Sequence, residues 1–233
     1  MATTSTPAPT SAFTGFSPAA IQFLVDLAAN NERSWFQPRK AEYERLLKGP
    51  LEALCVALGK TFARRGIPLS ADPARSPFRI YRDVRFSRDK SPYKTNVAAS
   101  FAWIGGGSGD SGGYFHLQPG EIYVGGGRWH PDPAWVAAWR HAVATDPARV
   151  HAVIDEPRFL AQLGPVGGDR LKRVPPGYAA DHPDAELLKL KDVTFGRRLA
   201  DAEAMSPDLP ETIADVFEIA TPVMRLLADL PVA

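Results

Sequence analysis

Apolar residues recur at helical spacing near the start of the chain: Ile21, Leu24, Val25 and Ala28 follow a Ser17-Pro18 pair, and Asn30-Asn31 closes the run. Serine caps free N–H groups and proline suits a first helical turn, so the pattern predicts a helix. A second helix is predicted over 34–47, carrying Trp35, Phe36, Tyr43 and Leu47. Gly49-Pro50 separates it from a third that runs to about Arg65. After Gly66 the period shortens. Strand-like runs occupy 78–86, 96–104, 113–117 and 122–125, and the turn sequence Gln118-Pro119-Gly120-Glu121 joins the last two as a hairpin.

Helical spacing returns over 133–144, 147–155 and a short piece near Phe159, and again over 208–219 and 222–230. The stretch 173–192 is proline-rich and irregular, as a surface loop would be. Short connections between neighbouring strands favour antiparallel pairing, and no repeat or β-α-β alternation is present. An α+β fold is expected, with a central antiparallel sheet covered by N-terminal and C-terminal helices.

The 233 residues are 45% hydrophobic, enough to bury an ordinary core, and residues 13–233 are expected to form a single domain. Residues 1–12 are small, polar and proline-bearing, without the basic start or apolar run of a secretory signal, and predict a disordered tail. The single cysteine excludes an intramolecular disulfide and suits a reducing compartment. Cys55 shares helical spacing with Leu51, Leu54, Leu58 and Phe62, which marks it as a core residue. No apolar run approaches the roughly 18 residues that span a bilayer. A cytoplasmic protein without a membrane partner is expected.

Charge changes the picture at one place. In residues 78–95, FRIYRDVRFSRDKSPYKT, Arg79, Arg82, Arg85, Arg88, Lys90 and Lys94 stand against only Asp83 and Asp89, while the chain as a whole carries 27 basic and 26 acidic side chains. Phe78, Ile80, Val84 and Phe86 alternate with Arg79, Tyr81, Asp83 and Arg85, and Arg82 intrudes on the apolar face. An arginine turned towards a core needs a partner, either Asp83 or a distant carboxylate. Clustered guanidinium forks that outnumber local acids favour an anion from outside.

Three functions compete for these residues. In the first, Arg79, Arg82, Arg85 and Lys90 bind an anion, Asp83 orients the arginines, and Tyr93 or Lys94 lies at the rim. The ligand is then a phosphate-bearing small molecule, a nucleotide or a nucleic-acid end. Broad duplex binding is disfavoured by the balanced net charge. In the second, the domain is an enzyme acting on a phosphorylated or carboxylated substrate, with Asp83, Asp89 or His182 as general base. In the third, the arginines are paired internally in a structural or protein-interaction domain. No cofactor is predicted, and oligomeric state is left open.

Other features weigh less. The run at 105–113, GGGSGDSGG, satisfies G-x-G-x-x-G through Gly107, Gly109 and Gly112, but a strand follows it where a dinucleotide fingerprint needs a helix. Gly109 to Gly113 looks like the nucleophile segment of chymotrypsin-like proteases, whose histidine segment and disulfides are missing here. A flexible loop joining two strands is the expectation. His116, His130, His141, His151 and His182 lack metal-ligand spacing, so no metal site is predicted, and His116 is expected to be partly buried with its hydrogen bonds satisfied. Trp103, Trp129, Tyr81 and Tyr93 offer stacking surface, and Gly125-Gly126-Gly127 before Trp129 lets bare backbone approach a ligand. Arg173, Tyr178, His182, Lys189 and Lys191 form a second cationic group.

The pattern R-x-x-R-D-x-R-F followed by D-K and P-Y-K, formed by Arg79, Arg82, Asp83, Arg85, Phe86, Asp89, Lys90, Pro92, Tyr93 and Lys94, resembles the signature of domain-of-unknown-function family 2461. FLVDLAANNERSWF, YVGGGRW and RVPPGYAADHP with LLKLK are similar to other segments of that family. The resemblance implies one domain over nearly the whole chain and carries no functional residues to transfer.

Overall fold

A computed structural model describes residues 12–107 and 111–231. The tail expected over 1–12 lies outside the described residues save for Ala12, and so do Ser108, Gly109 and Asp110 of the glycine run. Helix α1 (Pro18–Ala29) opens on Ser17, whose side chain accepts from the Ala20 N–H. Its buried stripe is Ala20, Phe23, Leu24 and Leu27, rotated from the expected one; Val25 is 43% exposed. Phe23 decides the rotation by packing against Trp35 and Tyr43 at ring-centroid distances of 5.5 and 6.3 Å.

Short helices α2 (Arg33–Phe36) and α3 (Lys40–Tyr43) flank a 3-10 turn at Gln37–Arg39, and a π turn at Glu44–Lys48 leads directly into α4 (Gly49–Arg65). The expected break at Gly49-Pro50 does not occur. The π turn hands the Glu44 carbonyl to the Gly49 N–H, so Pro50, which has no N–H, falls in the first turn after the change of register. Cys55 is buried on α4, and burial pushes its thiol up to about 12.

Among the described residues five strands form one antiparallel sheet: β1 (Leu69–Ser70), β2 (Val97–Trp103), β3 (Gly112–Gln118), β4 (Glu121–Arg128) and β5 (Val193–Leu199), in that order across the sheet. The predicted hairpin is β3–β4, while β1 and β5 were not foreseen. Residues 78–86 do not form the expected strand. Ser76 and Phe78 exchange backbone hydrogen bonds with Ser100 and Ala98 along the edge of β2, and the chain then leaves the sheet. It returns through Tyr93, which bridges Tyr81, with the Arg82 N–H bound to Pro92 and the Lys94 N–H to Ile80. The charged stretch is a hairpin-like loop projecting from a sheet edge. Its alternation therefore lacks a buried face: Ile80 is buried, but Phe78 is 44% and Phe86 95% exposed.

Then come α5 (Pro133–Thr145), α6 (Pro147–Ile154) and α7 (Pro157–Leu163). The irregular stretch holds α8 (Ala185–Leu188), and α9 (Asp201–Met205) and α10 (Leu209–Ala228) follow β5. The two helices expected at the end are one, with Pro222 inside it. The Thr221 hydroxyl donates to the Phe217 carbonyl at 2.6 Å where the ladder lacks the proline N–H, and a long buried stripe including Ile213, Phe217, Ala220 and Met224 holds the helix on the sheet. No described helix is long and apolar enough to cross a membrane.

One continuous core joins α1, α4 and α10 to a single face of the sheet, the face bearing Phe101, Phe115, Leu117, Val124 and Phe195. Phe62, Phe101 and Phe217 meet edge to face at 5.7 to 5.8 Å. A side chain at Gly113 would stand 2.5 Å from the Phe217 ring, so that glycine sets how closely α10 approaches. Because the helices gather on one face, the other is left open.

Candidate binding cleft on the open sheet face

Strand alternation places Ala98 and Ser100 of β2, Tyr114 and His116 of β3, and Tyr123 of β4 on the open face. The register sets Ala98, His116, Tyr123 and Arg198 side by side in one row and Ser100, Tyr114, Gly125 and Gly196 in the next. Over these rows lies a cleft of about 740 Å³, walled by Phe78, Lys94, Asn96, Glu121, Trp129 and Thr194, and floored by glycines of β3 and β4.

The glycines shape the floor. A Cβ at Gly196 would stand 2.3 Å from the Tyr123 hydroxyl oxygen, and one at Gly125 would stand 2.6 Å from it. Bare backbone there lets the phenol lie across the sheet and donate to the Phe195 carbonyl at 3.1 Å. Phe78, Tyr114, His116 and Tyr123 make a row of rings, with centroids 6.3, 5.6 and 5.8 Å apart in turn.

Electrostatics follow from burial. His116 is held below its usual value chiefly by burial, partly offset by Glu121, so its imidazole is neutral at neutral pH. Its Nε2 is buried without a hydrogen-bond partner, which corrects the expectation of a satisfied histidine. Burial raises the Tyr114 and Tyr123 phenols and keeps them protonated as donors. The Lys94 ammonium sits over the Phe78 ring at 5.0 Å and is pushed down first by burial and then by the charge of Arg79. Neither Lys94 nor Arg79 makes an ion pair to a described carboxylate.

The sequence-predicted residues do not converge in this cleft. Arg82, part-exposed in the loop rather than turned into the core, pairs with Asp89 of the same stretch, and Arg85 pairs with Asp83 at 2.7 Å. Lys90 donates to the Val84 carbonyl at 2.9 Å. The Asp83 carboxyl lies below the usual range because Arg85 hydrogen-bonds it. That of Asp89 lies far below, through Ser91 first and then Arg82. The Tyr93 ring is buried, stacked on Phe36 at 4.1 Å with its hydroxyl unpartnered, and the residue meets only the shallower groove described next. A shallower groove of about 360 Å³ beside the cleft brings together Arg82, Asp89, Lys94 and Asn96, so Lys94 belongs to both. Arg79, Asp83, Arg85 and Lys90 line neither.

His182 accepts from the Asp184 N–H at 3.0 Å, away from both hollows. Of the second cationic group, Lys189 pairs with Glu186 at 2.6 Å and Lys191 with Asp169 at 3.5 Å. Trp103 is buried on the core face, whereas Trp129, 72% exposed after the triple glycine, walls the cleft. Tyr114, His116, Tyr123 and Asn96 were missed as site residues. The one signal for them was the alternation of Tyr114 and His116 with Phe115 and Leu117, which announces a sheet face turned away from the core. Among the described residues no group of three or more metal-binding side chains gathers.

Searches of curated proteins and of solved structures return no match. Residues 19–226 match the family described as Conserved hypothetical protein (DUF2461), and the chain belongs to that family.

Proposed function

We propose that this domain binds a small anionic ligand, a phosphate-bearing molecule or nucleotide, in the cleft on the open sheet face. The observation that carries the reading is the Lys94 ammonium on the wall of an aromatic, glycine-floored hollow. No described carboxylate lies within ion-pair distance of Lys94, and the like charge of Arg79, itself partly answered by Asp83, acts on it from outside the hollow. An anion in the cleft satisfies the Lys94 donor and relieves that repulsion. Tyr114, Tyr123 and Trp129 offer ring surface for the body of the ligand, Tyr114 adds a phenolic donor, and bare glycine backbone lets it lie close. Arg82 and Arg85, tied to Asp89 and Asp83, serve the loop that carries Lys94 rather than the ligand.

Thermal shift and calorimetry with inorganic phosphate, nucleotides, sugar phosphates and short single-stranded oligonucleotides, at two salt concentrations, test this. A ligand at 100 times its dissociation constant stabilises by about 2.7 kcal/mol, or roughly 5–10 °C at this size. The shift should vanish in Lys94→Ala and survive in Arg82→Ala/Arg85→Ala. A shift lost only in the double arginine variant moves the site to the loop. No shift with any probe removes the reading.

A further inference from the structure

We infer that the Lys94 amine is a nucleophile that forms an imine with a carbonyl group of the cleft ligand. The inference rests on the proposed cleft and deepens it: the ligand class becomes an anion that also carries an aldehyde or ketone.

Four observations converge on Lys94. Its Nζ lies over the Phe78 ring at 5.0 Å, on the wall of a cleft otherwise lined by rings, glycines and uncharged polar groups, Glu121 excepted. No described carboxylate holds the amine as an ammonium, and Glu121, the acid of the cleft, is engaged with Arg198 at 3.3 Å. The backbone fixes the side chain's origin, because the Lys94 N–H is bound to Ile80 at 2.8 Å in the bridge that closes the loop. Next to Ile80 in sequence stands Arg79, whose charge, together with burial, lowers the proton affinity of the amine. A lysine desolvated against apolar surface and placed beside a second cation is the physical recipe for a reactive amine. By contrast Lys40 and Lys48 are exposed and lie within 3.9 and 3.7 Å of Glu44 and Glu52.

The step balances without any further reagent. Lys94 releases its ammonium proton to solvent, and the neutral Nζ attacks the carbonyl carbon. The C–N bond forms as the carbonyl π pair moves to oxygen. Two protons pass from nitrogen to that oxygen, the C–O bond breaks, and one water leaves with the imine in place. The charge of Arg79, acting on Lys94 from outside the cleft lining, favours a ligand that carries a carboxylate or phosphate close to the carbonyl.

The test uses the full chain with two probes, glyoxylate as a carbonyl anion and propanal as a neutral aldehyde. Each is trapped with sodium cyanoborohydride and mapped by peptide mass. At neutral pH Lys94 should take about tenfold more label than the exposed Lys60 and Lys172, and inorganic phosphate should protect it. Lys94→Arg should melt like the wild type and carry no label at that position. If Lys94 labels no faster than Lys60 and Lys172, the nucleophile is overturned, while stabilisation by phosphate would leave the anion site standing. If propanal labels Lys94 selectively but phosphate neither protects nor stabilises, the nucleophile stands and the anion reading falls.

Discussion

Tyr123 lies over Gly196, so close that the smallest side chain there would meet its hydroxyl oxygen at 2.3 Å. Gly196→Ala should lift the ring, break its bond to the Phe195 carbonyl and occupy the cleft floor. Overpacking with a lost hydrogen bond costs roughly 1–3 kcal/mol, or about 2–10 °C in melting temperature at this size. Scanning calorimetry reads the loss, and an unchanged melting point would show that Tyr123 has another place to go. Any ligand of the cleft should bind more weakly to the same variant.

His151 joins two carboxylates, with Nδ1 2.7 Å from Asp155 and Nε2 2.7 Å from Asp184, and so ties α6 to the start of α8. Hydrogen bonds that its ring N–H groups donate to Asp155 and then Asp184 raise its proton affinity. A raised folded-state value means that the contribution is complete below the unfolded value of about 6.5 and fades as pH climbs through the folded one. Melting curves of the wild type and His151→Gln should therefore diverge at about pH 5.5 and converge by about pH 9. A gap that is constant with pH would assign the effect to packing.

Arg65, at the last turn of α4, reaches three acids of α10: Glu218 through Nε at 2.8 Å, Asp215 at 2.7 Å and Glu211 at 3.4 Å. The arginine is four-fifths covered while its acids are half exposed, so Arg65→Met should cost roughly 1–2 kcal/mol in dilute buffer. About 1 M salt shortens the screening length to roughly 3 Å and should shrink that difference. Urea titrations at the two salt levels measure both, and a salt-independent loss would point to the buried stem of the side chain instead.

The Arg82–Asp89 pair closes the neck of the projecting loop, and Ser91 donates to the same carboxylate through its hydroxyl at 2.6 Å and its N–H at 2.9 Å. Asp89→Asn should speed amide exchange over residues 83–91 while hardly moving the global melting point, because the pair lies outside the core. Hydrogen exchange by mass spectrometry distinguishes this from the opposite result, a lower melting point with unchanged loop exchange.

The sequence announced the parts of the fold that local chemistry decides. Ser17-Pro18 starts α1, Asp132-Pro133 starts α5, and Gln118 to Glu121 turns the hairpin. It misled where tertiary contacts override a local signal: Gly49-Pro50 and Pro222 look like breaks, but a π turn absorbs the first and a long buried stripe carries the second. The alternation of the charged stretch implied a strand where the backbone instead forms isolated bridges at Pro77 and Tyr81. Pairing of Arg82 with Asp89 and Arg85 with Asp83 follows from their nearness in sequence. The cleft was illegible for the converse reason: Lys94, His116, Tyr123 and Thr194 meet only through strand register. The alternation of Tyr114 and His116 with Phe115 and Leu117 and the triple glycine before Trp129 were its hints.

The sheet's two margins remain to be considered. Ser76 and Phe78 bond along the outer side of β2, and Gly167 exchanges hydrogen bonds with Thr194 along the outer side of β5, at 2.8 and 2.9 Å. Each border is thus occupied by a short segment that is not itself a long strand, and one of them contains Pro77, which donates nothing to a newcomer. A sheet that leaves one face uncovered risks recruiting a foreign chain edge to edge. Here the fringes are short and broken while the face stays bare, so small solutes have access and a foreign strand meets little continuous edge to add to.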